Sequence, residues 1–92
     1  RILVDEGAKE ALLHKGKSLL SSGITAVEGN FSAGDVVEIA DKDGREFARG
    51  ITNYSGLELN RIKGQKSKDI CHILGYKDFD EVIHRDNLSL IL

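Results

Sequence analysis

Val36-Val37-Glu38-Ile39-Ala40 is the clearest strand of the chain, and Asp41-Lys42-Asp43-Gly44 turns it back on itself. Aspartate at the head of such a turn bonds its own backbone, and glycine supplies the positive φ. Phe47 to Tyr54 reads as the returning strand, so residues 36–54 form a β-hairpin. Gly50 inside the return marks either a bulge or a close approach of another part of the molecule. Upstream, Ala33-Gly34-Asp35 is a tight turn into the hairpin, and Phe31 before it is a core anchor. Ile24-Thr25-Ala26-Val27-Glu28 is a second strand, ended by Gly29-Asn30.

The flanks alternate helix and strand signals. Ile2-Leu3-Val4 is a short β-branched run. Asp5 caps a helix in which Ala8, Ala11 and Leu12 keep helical spacing, with Gly16 as a left-handed stop. Ser18 to Gly23 is a connection with Leu19 and Leu20 tucked against the core. Ser55-Gly56-Leu57-Glu58 is a capping box, and its helix ends at Gly64. Ser67 caps a further helix with an Ile70, Ile73, Leu74 stripe, stopped by Gly75. Val82-Ile83-His84 and Leu88 to Leu92 are the last strands, parted by Arg85-Asp86-Asn87. The pattern predicts a mixed, mainly β fold: a small barrel of five to six short strands with two to three short helices.

Composition limits what such a fold can do. The chain has 92 residues with a formal net charge of −2, which excludes a globally basic nucleic-acid binder but leaves room for a local basic patch. One cysteine cannot form an internal disulfide, which points to a reducing, cytoplasmic setting. No apolar run approaches the roughly 18 residues of a membrane span. The absence of any methionine, with apolar segments at both ends, is the pattern expected of one domain, residues 1–92, cut from a longer chain.

Few residues carry chemistry. Gly16-Lys17-Ser18 mimics the end of a phosphate loop, but position 11 is alanine where the first glycine is needed, and the segment ends a helix rather than opening one. His14, Cys71, His72 and His84 lack the spacing of a zinc site, and Cys71 reads as a small buried hydrophobe. Ser18 and His84 have the chemistry of a nucleophile and base, but nothing in the sequence places them together. No catalytic, cofactor-binding or metal-binding residue is therefore assigned. Arg61, Lys63, Lys66 and Lys68 form a run of four cations with no acid, and Lys9, Lys15 and Lys17 form a second cluster on and after the first helix. Four phosphate contacts on a single strand would give a salt slope of about −3. Scarce aromatics argue against a platform for stacking several bases.

Read in order, Val4-Asp5-x-Gly7-Ala8-x-x-Ala11-Leu12, Gly16-Lys17-Ser18-Leu19-Leu20-x-x-Gly23-Ile24, Val27-Glu28-Gly29-x-Phe31 and Gly34-Asp35-Val36-Val37 resemble a PUA domain. The continuation, Ala48-Arg49-Gly50-Ile51-x-Asn53-Tyr54-Ser55, Leu74-Gly75-Tyr76 and Val82-Ile83-His84-Arg85-Asp86-Asn87-Leu88, is similar to the C-terminal PUA domain of bacterial glutamate 5-kinases. The resemblance covers the whole chain and implies a PUA-like pseudobarrel. His84-Arg85-Asp86 also mimics a kinase catalytic loop, but the loop's downstream Asn spacing and the D-F-G element are missing.

The resemblance further implies a silent accessory or regulatory domain of an enzyme of proline biosynthesis. Its partner would be an amino-acid-kinase domain of the same parent chain, and ATP, magnesium and glutamate would bind there, leaving this domain without a cofactor. The alternative is an RNA-binding module for structured RNA. PUA domains elsewhere bind RNA through the first helix and its neighbours, which fall here on Gly7, Ala8, Lys9, Lys15, Gly16 and Lys17. Small Gly7 and Ala8 would let the protein backbone approach a ligand closely. Arg61, Lys63, Lys66 and Lys68 would extend that face.

Overall fold

A computed structural model describes residues 1–91. The strands are β1 (Ile2–Val4), β2 (Ile24–Val27), β3 (Val36–Ala40), β4 (Glu46–Ile51) and β5 (Leu88–Leu90). The α-helices are α1 (Glu6–His14), α2 (Gly56–Ile62) and α3 (Ile70–Leu74), and single 3₁₀ turns cover Ser21–Gly23, Ser67–Asp69 and Arg85–Asn87. One sheet takes the order β2-β1-β3-β4-β5. Its pairs are antiparallel except β1 with β3, which run parallel with Ile2 opposite Ile39.

The hairpin forms where its residues predict, with Val36 opposite Ile51 and Ile39 opposite Ala48. Its turn is held by the Asp41 carboxylate, whose Oδ1 accepts the Asp43 and Arg45 amides at 3.0 Å each. Gly44 closes the turn at φ +84°, a region that costs glycine nothing. The register shifts after Ile39, leaving Phe47 as an extra residue, so Phe47 and Ala48 are both buried although they adjoin in sequence. Gly50 is the other alternative, a close approach: a Cβ there would lie 2.6 Å from Ile83 Cγ2 and 2.9 Å from the Asn87 carbonyl. The return strand stops at Ile51, short of Tyr54, because Thr52 is buried and its hydroxyl takes up the backbone of Tyr54.

Leu19 and Ile83 form an antiparallel bridge, with the Leu19 amide donating to the Ile83 carbonyl at 2.9 Å and the Val82 amide to the Leu19 carbonyl at 2.8 Å. Leu19 lies on the segment leading into β2, and Ile83 on the segment leading into β5, the two outermost strands. The bridge therefore closes the sheet into a pseudobarrel. Ile2, Val4, Ile39, Leu59, Ile62, Ile70, Val82 and Ile83 meet inside it, all fully buried.

Several local expectations need correction. Val82–His84 is no strand, since Ile83 makes a single bridge. Ser67 does not cap α3: its hydroxyl donates to the Asp80 carbonyl at 3.0 Å, and a 3₁₀ turn leads into the helix. Cys71 is exposed. Ile70 and Leu74, four apart, take the buried face of α3, and Cys71 lies about 100° round from Ile70. Leu20 is 42% exposed, because the bridge needs only Leu19 to face inward. Phe31 is partly buried against the core rather than a full anchor. Of the last predicted strand, Leu88–Leu90 pairs, and Leu92 lies outside the described residues.

Candidate functional site

Asp5 organises the entrance to α1. Its Oδ1 accepts the Ala8 amide at 2.8 Å, and its own amide donates to the Gly23 carbonyl at 2.9 Å. The first turn of α1 is thus pressed on the 3₁₀ turn 21–23. A Cβ on Gly23 would stand 2.6 Å from the Ala8 Cβ, so glycine is what allows this approach. Beyond it a groove of about 310 Å³ opens between α1 and the segment 17–23. Gly7, Ala8, Ala11 and Leu12 form one wall, with Lys17 and Leu20 on the other. The small side chains at 7, 8 and 11 keep it open.

The cations expected to crown this groove are not all brought to it. Lys9 extends instead to the hairpin turn, where its ammonium lies 2.9 Å from Asp41 Oδ2 and 5.9 Å from the centre of the Phe47 ring. The hydrogen bond from Lys9 and those from the Arg45 and Asp43 amides hold the Asp41 pKa down to about 2, and the same pair raises that of Lys9. Lys9 is therefore a fold-holding cation. Lys15 is exposed just past α1, and Gly16 at φ +58° turns the chain so that Lys17 reaches the groove. Of the first cluster, Lys17 alone lines it.

The second basic run does not line the groove. The Gly64 amide donates to the Ser21 carbonyl at 2.9 Å, and the Ser21 hydroxyl to the Gln65 carbonyl at 2.6 Å, docking 64–65 on the 21–23 turn. Arg61 caps α3, donating to the Ile73 carbonyl at 2.6 Å, and Lys63 reaches Asn60 Oδ1 at 3.1 Å. Lys66 and Lys68 are exposed.

A second depression, about 330 Å³, shares Lys17, Ser18 and Leu20 with the groove and adds Glu81, His84 and Arg85. His84 and Arg85 were not among the candidate binding residues. Their signal in the sequence was the His-Arg-Asp-Asn segment, which resembles glutamate 5-kinases more narrowly than PUA domains at large. Ser18 and His84 do come near each other, but not as a relay. The Ser18 hydroxyl accepts the Arg85 amide, and His84 Nδ1 accepts the Asp86 amide.

The ionisation constants that are displaced belong to contacts that hold the fold. Beside the Asp41–Lys9 pair, the Arg49 guanidinium holds the Glu46 carboxyl low from 3.2 Å. Burial raises the Tyr54 phenol, which donates to the Phe79 carbonyl inside the core. Among the described residues, no three His, Cys, Asp or Glu side chains gather as a metal-binding group, and no helix is long and apolar enough to cross a membrane.

The sequence model of the PUA domain matches residues 1–74. This chain belongs to the PUA domain family. As a PUA domain it is 57% identical over 90 residues to the glutamate 5-kinase of Caldanaerobacter subterraneus subsp. tengcongensis and 58% identical over 90 residues to that of Dictyoglomus turgidum. Each alignment covers 98% of this chain and 24% of the relative, so the PUA domain spans about a quarter of the length of the curated relatives it matches. Among solved structures, a PUA domain from Aeropyrum pernix K1, crystallised as a tartrate complex, superposes with a TM-score of 0.64 at 27% identity over 90% of this chain and 40% of that one. A conserved PUA domain protein from Thermoplasma acidophilum gives a TM-score of 0.58 at 27% identity over 64% of this chain and 38% of that one. The mixed fold and the resemblance read from the sequence both hold.

Proposed function

We propose that this PUA domain is a non-catalytic accessory domain of a glutamate 5-kinase, contributing to regulation and assembly. An amino-acid-kinase domain of the same polypeptide would bind ATP, magnesium and glutamate and transfer the phosphoryl group in the cytoplasm. The observation that carries this reading is the 57–58% identity to glutamate 5-kinases along 98% of the chain. The local chemistry supports it, because the Asp41–Lys9 and Glu46–Arg49 pairs, whose ionisation is displaced, line neither the α1 groove nor the depression beside His84. Deleting the domain from an intact glutamate 5-kinase tests it. ATP-dependent phosphorylation of glutamate should persist, with altered inhibition by end product or altered subunit assembly. A folded remainder that has lost all turnover would contradict the reading.

The groove beside α1 supports a second reading, binding of structured RNA with Lys17 at the groove and the exposed Lys63 and Lys66 flanking residues 64–65, which dock on the 21–23 turn. A filter-binding titration with transfer RNA across salt concentrations tests this one. With Lys9 occupied by Asp41, contacts from Lys17, Lys63 and Lys66 would give a salt slope of about −2 to −3.

A further inference from the structure

Gly16-Lys17-Ser18 and His84-Arg85-Asp86 each mimic a phosphate-handling motif that is incomplete when taken alone. In the folded molecule they meet. The Leu19–Ile83 bridge sets them side by side, and the Arg85 amide donates to Ser18 Oγ at 2.9 Å across 67 positions of sequence. We propose that the depression between them, lined by Lys17, Ser18, Leu20, Glu81, His84 and Arg85, binds the phosphoryl group of a small phosphate monoester or free phosphate. This inference rests on the geometry alone and stands whether or not the parent is a kinase.

The donor inventory makes the case. Ser18 Oγ accepts from the Arg85 amide, which leaves its hydroxyl hydrogen free to donate. His84 Nδ1 accepts the Asp86 amide at 3.1 Å, so the neutral ring carries its proton on Nε2. Neither the Lys17 ammonium nor the Arg85 guanidinium enters an ion pair among the described residues. The residues lining one concavity therefore carry a hydroxyl, an imidazole, an ammonium and a guanidinium. That set suits an anion with several acceptor oxygens, and guanidinium matches phosphate in a bidentate fork.

Two carboxylates oppose the anion. Glu81 lies on the rim, and Asp86 stands 3.5 Å from His84 Nδ1. They keep the affinity modest, with a Kd on the order of 1 mM for phosphate alone. Leu20, exposed on the boundary with the α1 groove, gives the organic part of an ester an apolar surface beside its phosphate. A mononucleotide has that shape and should bind more tightly than inorganic phosphate.

The test is a titration of the isotopically labelled 92-residue chain with sodium phosphate and with adenosine monophosphate at constant ionic strength, read by amide chemical shifts. Saturating shifts centred on Ser18, His84 and Arg85 are expected. Arg85→Ala keeps the backbone bond to Ser18 and should weaken binding about tenfold, as should Lys17→Gln, since one hydrogen bond to a charged group is worth that much. Glu81→Gln should strengthen binding. Should Arg85→Ala lose its spectral dispersion, Lys17→Gln decides, because the Lys17 side chain makes no bond within the described fold. Non-saturating shifts, shifts centred on Arg61 to Lys68, or folded variants that titrate like the parent would overturn the proposal. So would a single-stranded RNA oligomer that binds at concentrations where phosphate and the mononucleotide leave the spectrum unchanged, since the surface would then read nucleic acid.

Discussion

Asp41 is 3% exposed and answers to three donors, the amides of Asp43 and Arg45 and the ammonium of Lys9. Its pKa falls from 3.8 to about 2 on folding. A carboxyl held lower in the folded state contributes stability above its unfolded value, and loses it as pH falls through the folded one. The contribution is therefore complete above about pH 4 and fades between pH 4 and 2. Asp41→Asn keeps an acceptor for the turn but sets an amide N–H₂ or an uncharged oxygen against Lys9. Thermal midpoints measured across pH should show the variant less stable near neutrality and converging with the parent toward pH 2. A gap that does not change with pH would mean the charge plays no part. At another tightly constrained residue, Gly50→Ala forces a methyl to 2.6 Å from Ile83 Cγ2. Overpacking of this kind costs about 1–3 kcal/mol, which a shift in the denaturant midpoint at unchanged slope would report.

Elements whose signals are local were legible in the sequence. The Asp5 cap, the Ser55–Glu58 capping box and the Asp41 turn are each made by bonds spanning two to four residues. Ser55 accepts the Glu58 amide, and Glu58 returns the bond to the Ser55 amide. Ser55→Ala should cost about 0.5–2 kcal/mol in chemical denaturation, whereas Ser67→Ala, at a residue that caps nothing, should leave the helical signal of α3 intact. Elements that depend on distant partners were not legible. Ile83 reads as a strand residue, yet its single bridge is set by Leu19, far upstream. Cys71 and Leu20 are apolar enough to bury, and only the orientation of α3 and of the bridge turns them outward. Lys9 looked like a groove cation because Asp41, 32 residues away, gives no sign of reaching it.

At the scale of the molecule, a thin core is closed by one bridge between the segments feeding the outermost strands, and the two depressions that share Lys17, Ser18 and Leu20 lie beside that bridge. The general architecture followed from strand and turn chemistry. The meeting of Lys17 and Ser18 with His84 and Arg85 did not, since it exists only after closure. Among the described residues, the displaced Asp41–Lys9 and Glu46–Arg49 pairs line neither of these two depressions. In the proposed function these residues serve a larger enzyme without turning over substrate themselves. The most direct measurement is glutamate-dependent release of ADP from ATP by the purified 92-residue chain, run beside an intact glutamate 5-kinase. The chain should match the buffer blank while the intact enzyme turns over. Glutamate-dependent turnover by the chain, abolished by a substitution within it, would contradict the account.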